Sequence, residues 1–293
     1  MTQCEQSINR DAVDDQSTDG GASPTCSLNF WVTAITRAEA KQWCKRHPHA
    51  SSVPNSSKHY YKLELNGAFA GLAVWGYGVR PACTARKLFG STDYVPKYLE
   101  LCRFFVVDAC PKNTASKFLS LTHRLLRRDD PDVGLLYTYA AGFQGLVGTI
   151  YQAANYDYIG TQECKSFLLV GTKLYHIISL WHADKSWTTN PAKMQDVFPG
   201  CKRWHGYNFR YVYWQNDTFK QQHQHRFTTQ PYPTTDDIDI WTVDHNRQKA
   251  PVSLDFAKQV MVSKLHSNKP LTKRRQMRDL FPDPVYGLEV AYA

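Results

Sequence analysis

The chain has 293 residues and a formal net charge of +9, with 42% hydrophobic and 13% aromatic residues. That composition supports a real core in one large domain or two modest ones. No apolar run approaches the roughly 18 residues of a membrane span and no signal-peptide core opens the chain, so neither membrane insertion nor export is expected.

The charge is uneven. Residues 1–26 carry −4 and residues 234–293 carry +1, which leaves +12 for the middle. A core that basic is the expected footprint of a polyanion partner, most simply nucleic acid. The eight cysteines contain no C-x-x-C pair and match no zinc spacing. They read as reduced thiols.

In chain order, residues 1–27 are acidic and polar and are expected to be a flexible tail. Phe30–Ile35 reads as a strand, and Thr36 with Glu39 as a capping box opening a helix to about Lys45. The loop RHPHASSVP follows, with His47 and His49 as a modest hint of a site. His59–Leu65 and Ala68–Gly76 form a hairpin around Asn66-Gly67, the favoured two-residue turn. Trp75 and Tyr77 at its end are candidates to stack on a base, although such residues more often pack in a core. Arg80–Pro96 reads as a surface loop carrying Arg80, Arg86 and Lys87.

Tyr98–Val107 is rich in β-branched and aromatic residues and reads as a buried strand. A helix follows with apolar residues at helical spacing from Ala115 to Leu126, capped by Asn113 or Thr114 and ended at Asp129-Asp130-Pro131. Val133–Ala140 is the next strand, so the two strands should pair in parallel through a right-handed crossover. The unpartnered amides at the helix start favour a phosphate, and Lys112, Asn113, Thr114 and Ser116 crowd that end with donors. Neither a P-loop nor G-x-G-x-x-G is present. By period-two alternation, Glu100 and Arg103 should face opposite sides of their strand.

A short helix after Gly145 and a hairpin around Gly171 continue the chain. Residues 181–233 interleave aromatics with Lys202, Arg203, Arg210 and Arg226, which suits either a nucleic-acid surface or an aromatic β core. Residues 234–293 read as an appended amphipathic helix and basic tail.

This order of elements is similar to the GNAT (acetyltransferase) fold: an α/β protein whose mixed central sheet has splayed parallel strands, here followed by an aromatic-rich C-terminal extension. The resemblance implies a coenzyme A-type donor, with its pyrophosphate on the helix start near Asn113. The usual glycines of that motif are absent from Lys112–Lys117.

Glu100-Leu-x-Arg103, Asp108, Pro111–Thr114 with Ser116, and the run GTIYQA from Gly148 closely resemble the Mom family of phage DNA-modification proteins. The resemblance covers roughly Phe30 to Pro233. It implies addition of a carbamoylmethyl group to the exocyclic nitrogen of adenine in DNA, which protects phage DNA from restriction in the cytoplasm of the bacterial host. It also implies a double-stranded DNA partner with the adenine flipped out, and a phosphate-bearing activated glycine donor, either acyl-coenzyme A or aminoacyl-tRNA in type.

Catalytic candidates on this resemblance are Glu100, Arg103, Asp108, Tyr151 and His49. Donor-binding candidates are Lys112, Asn113, Thr114, Ser116, Tyr139 and Gly148. DNA-binding candidates are His47, Trp75, Arg80, Lys202, Arg203 and Arg210. Where related sequences tend to have an Asp after the fifth strand, this chain reads Thr138–Gly142 without a carboxylate. Any metal, iron included, would need another ligand set, such as His47, His49 and Asp108. A non-catalytic DNA-binding protein on the same fold, or an acyl-coenzyme A-dependent N-acetyltransferase, is the alternative.

Overall fold

One mixed sheet holds all the described strands, and their order along it positions the site. The structure is a computed structural model that describes residues 29–46, 52–183, 185–197 and 200–263. His47 and His49 lie outside the described residues, as do the N-terminal tail through residue 28 and the basic segment after residue 263.

The chain opens with β1 (Phe30–Ala34), α1 (Arg37–Arg46) and the hairpin β2 (Ser57–Leu65) and β3 (Ala68–Gly76). At the hairpin tip Asn66 and Gly67 both take positive φ, 50° and 80°, as the favoured turn demands. The Thr36 hydroxyl accepts from the amide of Glu39 at 3.2 Å, so that half of the expected capping box is present.

Next come α2 (Pro81–Phe89) and a 3-10 turn at Thr92–Lys97. The expected loop over Arg80–Pro96 is therefore corrected to a helix and a tight turn. The signals were local: Pro81 starts the helix, Gly90 ends it with φ 81°, and Ala85, Leu88 and Phe89 bury one face.

The chain then forms β4 (Tyr98–Val106), α3 (Thr114–Asp129), β5 (Leu135–Ala140), α4 (Thr149–Ala153), β6 (Asp157–Val170) and β7 (Lys173–His176). After α5 (Ile177–Ala183) and α6 (Pro191–Val197), β8 (Lys202–Trp214) returns into the sheet between β5 and β6. α7 (Asp217–His223) follows, then β9 (Trp241–Val243), β10 (Lys249–Pro251), α8 (Leu254–Gln259) and β11 (Met261–Ser263). β9 pairs with β8 and β11 with β7, so the described residues after 233 join the same sheet.

β4 and β5 are parallel and joined by α3, as expected. They pair only at Tyr98–Glu100 against Leu135–Tyr137, and beyond those three rungs no pairing joins them. This is the splay of parallel strands expected from the sequence.

Helices cover both faces. Phe118, Leu119 and Leu126 of α3 pack with Leu63, Trp75, Leu99 and Leu136. Ala40 and Cys44 of α1 pack on the other face with Leu72, Val74 and Phe105. α2 adds Ala85, Leu88 and Phe89 against Tyr98, Leu135 and Tyr137. Each fully buried Leu or Phe contributes about 1.5–3 kcal/mol.

Candidate functional site

The site forms where β4 and β5 part. Glu100 lies on the last paired rung of β4, opposite Tyr137 of β5. It is 8% exposed. Its carboxylate rests against the backbone of Gly78, at the point where any Cβ would stand. Gly78 has φ +74°, which disfavours every residue with a side chain.

Burial raises the Glu100 carboxyl to about 7, with the Arg103 guanidinium pulling the other way. Arg103 donates to the carbonyls of Ser52 at 3.0 Å and Cys102 at 2.6 Å. The expectation that Glu100 and Arg103 face opposite sides is corrected here. The β3–β4 register slips between Val74 and Trp75, so Leu101 and Arg103 pair with consecutive residues. That bulge breaks the two-residue alternation and lets Arg103 act on Glu100.

Tyr98 and three further groups feel the Glu100 charge. Cys102 is pushed up to about 11, first by burial and then by Glu100. Tyr137 is pushed up to about 12 by burial, with Arg210 lowering it and Glu100 raising it. Tyr139 is held above the usual phenol range by desolvation and then by Glu100. As a residue Tyr139 is 44% exposed, while its hydroxyl end is desolvated and its ring lies 6.5 Å from that of Tyr137.

Arg210 of β8 pairs in register with Tyr139, and its guanidinium donates to the Ile159 carbonyl at 3.0 Å. The sequence-predicted residues brought together are therefore Glu100, Arg103, Tyr139 and Arg210. Cys102 and Tyr137 were missed; Gly78 reads in the sequence as a glycine that leaves room for close approach, but not as the neighbour of Glu100. The Gly-Tyr-Gly run at 76–78 and the Tyr-x-Tyr repeat at 137–139 were the available signals.

Other candidates lie elsewhere. Tyr151 is 9% exposed, sits within 5.6 Å of the Tyr156 ring and 5.3 Å of the Tyr211 ring, and bonds with Thr138. Thr138 alternates with Tyr137 and Tyr139 along β5, so Tyr151 is on the opposite face from Glu100. Gly148, at φ 79°, caps α4 with Tyr211 and Tyr151 against it.

Trp75 is wholly buried, within 6.0 Å of the His123 ring. It presents no face to a base, which corrects its stacking assignment in favour of the core. Lys202 and Arg203 lie at the far end of β8, seven or more residues before Arg210 and so roughly 23 Å along the strand. Arg80 is exposed just before α2.

Asp108 is exposed in the turn after β4, eight residues beyond Glu100 and so on the order of 25 Å along the chain. Among the described residues, no group of three or more His, Cys, Asp or Glu side chains is placed to hold a metal ion.

The turn after β4 leads into the start of α3. Asn113 precedes that helix with φ 66°, without a side-chain capping bond. Asparagine tolerates this left-handed conformation, so it supplies locally what a glycine would. The Ser116 hydroxyl donates to the Asn113 carbonyl at 3.1 Å. Lys112 is exposed, Thr114 is buried, and the first turn contains no acidic residue. The Thr114 amide donates to the Pro111 carbonyl at 3.2 Å, so of these donors Thr114 is already engaged, and the exposed Lys112 adds a cation at this helix start.

The Mom protein family model matches residues 29–234. A curated relative, "Methylcarbamoylase mom" from Escherichia phage Mu, is 30% identical over 135 residues. That match covers 42% of this chain and 55% of the relative, so the chain spans about half the length of that protein. Among solved structures, an aminoglycoside acetyltransferase in complex with coenzyme A and kanamycin is 14% identical with a TM-score of 0.37, covering 67% of this chain and 99% of that one. A spermidine/spermine N-acetyltransferase from Vibrio cholerae in complex with manganese ions is 10% identical with a TM-score of 0.35, covering 66% of this chain and 96% of that one.

Proposed function

The chain belongs to the Mom protein family, and from that premise we propose that it is a phage DNA-modification transferase. Its acceptor is the exocyclic nitrogen of adenine in DNA, and the group added is carbamoylmethyl. The donor is a phosphate-bearing activated glycine derivative of the acyl-coenzyme A or aminoacyl-tRNA type, whose activated carbon is its carbonyl. The name of the phage Mu relative supports this reading.

The observation that carries it is Glu100: a buried carboxyl that titrates near 7 at the mouth of the strand splay. Attack of the adenine amine on the donor carbonyl forms a carbon–nitrogen bond as the thioester or ester bond breaks, and the amine sheds a proton; conversion of that glycyl amide to its carbamoylmethyl isomer is a separate step. A base poised near neutral pH is the efficient acceptor for it. Glu100 takes that proton, and Arg103 stabilises the carboxylate before transfer. The planar base would rest beside Tyr139, and Arg210 stands across from it on β8.

The donor's phosphates sit at the start of α3, on the amides of Ala115 and Ser116, with Lys112 beside them. The duplex must extrude the adenine, because its amine cannot be reached for such chemistry inside the stack. Mass spectrometry of nucleosides from bacterial DNA tests the reading: cells expressing the chain should contain carbamoylmethylated adenosine, and its absence overturns the assignment.

A further inference from the structure

The loop between β3 and α2 carries an exposed valine beside the buried acid. Val79 is 86% exposed, whereas Gly78 just before it is buried against the Glu100 carboxylate. An exposed valine in a slack loop would mean little. This loop is clamped. The Tyr98 hydroxyl lies 3.0 Å from the Tyr77 carbonyl and 3.1 Å from the Pro81 carbonyl, at either end of it. The Ser56 hydroxyl donates to the Gly78 carbonyl, and the Tyr77 amide donates to the Ser56 carbonyl at 3.0 Å. The Arg80 carbonyl accepts from Thr84 at 2.9 Å as the first bond of α2. Val79 is therefore held outward from a fixed frame, one residue from the wall of the cleft.

Its surroundings are cationic. Arg80 follows it, and Arg86 and Lys87 are exposed on the last turn of α2. Lys58 on β2 is exposed as well, 5.9 Å from the centre of the Tyr77 ring, but its ammonium is ion-paired with Asp130 at 2.5 Å, so the cations left for phosphate are Arg80, Arg86 and Lys87. These cations suit the phosphates on either side of an extruded nucleotide.

Resting on the transferase reading above, we infer that Val79 is a wedge that enters the DNA base stack and fills the space left by the flipped adenine. Apolar side chains inserted between base steps are an established means of unstacking a duplex. The flipped base then passes the rigid Gly78 turn to reach Glu100. Arg80 binds the neighbouring phosphate. Nothing in this requires the donor, so the step can be measured without it.

The test uses the full chain and duplexes in which 2-aminopurine, whose fluorescence rises on unstacking, replaces adenine in each flanking context. The wild-type protein should raise the fluorescence in at least one context. Val79→Gly should lose at least five-fold of that rise at saturating protein, with unchanged thermal stability, while Val79→Leu retains it. On duplexes with the probe opposite an abasic site, where no extrusion is needed, wild type and Val79→Gly should bind within two-fold of each other. An equal rise with Val79→Gly, no rise with wild type, or equal weakening on both duplex types overturns the wedge. Nucleoside analysis of expressing cells is a separate readout. Modified adenosine with a normal rise for Val79→Gly sinks the wedge alone, and a Val79-dependent rise without modified adenosine sinks the transferase alone.

Discussion

Glu100 and Gly78 occupy each other's space: the carboxylate lies where a side chain on residue 78 would have to begin. The contact joins a buried acid to a backbone conformation that only glycine adopts without strain. Gly78→Ala should therefore cost on the order of 1–3 kcal/mol and displace the acid. Denaturant titration checks the first effect. Loss of adenine modification from the protein that remains folded checks the second.

The Glu100 carboxyl also ties stability to pH. Its folded value of about 7 lies above the ordinary 4.5. Between those values the native state binds more protons than the unfolded chain, so this group's contribution falls as pH rises through the window. The full effect is on the order of 3 kcal/mol. Glu100→Gln should flatten that part of the stability–pH curve, as measured by melting between pH 4.5 and 8. Transfer activity should move the opposite way in the wild type, rising as the base ionises around pH 7.

Ser116→Asp probes the start of α3. An acid near a helix N-terminus is mildly stabilising, so folding should be unaffected. The added charge opposes donor phosphates, so modification should be lost. DNA affinity should change by less than about ten-fold, since one exposed charge contributes about 1 kcal/mol or less. Loss of DNA binding with donor binding intact would reverse the assignment of the two sites.

DNA binding by the basic middle of the chain should depend on phosphate contacts. Affinity measured from low to moderate salt should fall by orders of magnitude. A flat profile would remove this mode of binding.

The order of strands and helices around the splay could be read from hydrophobic spacing and turn chemistry, because β2–β3, β4, α3 and β5 are each locally consistent. α2 was hidden by its neighbours: Pro81, Gly90 and Ser91 look like loop punctuation until they are recognised as the helix start and stop. The relation of Glu100 to Arg103 was not legible, because one bulge on the β3–β4 ladder reverses what strict alternation implies. Trp75 reads as a stacking surface by type and position, yet it is wholly buried in the core beside α3. Trp75→Ala should accordingly cost about 3–5 kcal/mol of stability, read by denaturant unfolding. Cys102 carries no motif, and the Tyr-x-Tyr repeat at 137–139 does not by itself say which face it takes; only the folded sheet places Cys102 and Tyr137 around the acid.

The most direct measurement is the amount of carbamoylmethylated adenosine in DNA from cells expressing wild type or Glu100→Gln at equal levels. The account predicts abundant modification with wild type and a loss of about 10²–10⁴-fold in rate with Glu100→Gln, the range for removing a general base. Equal modification by the two proteins would contradict it.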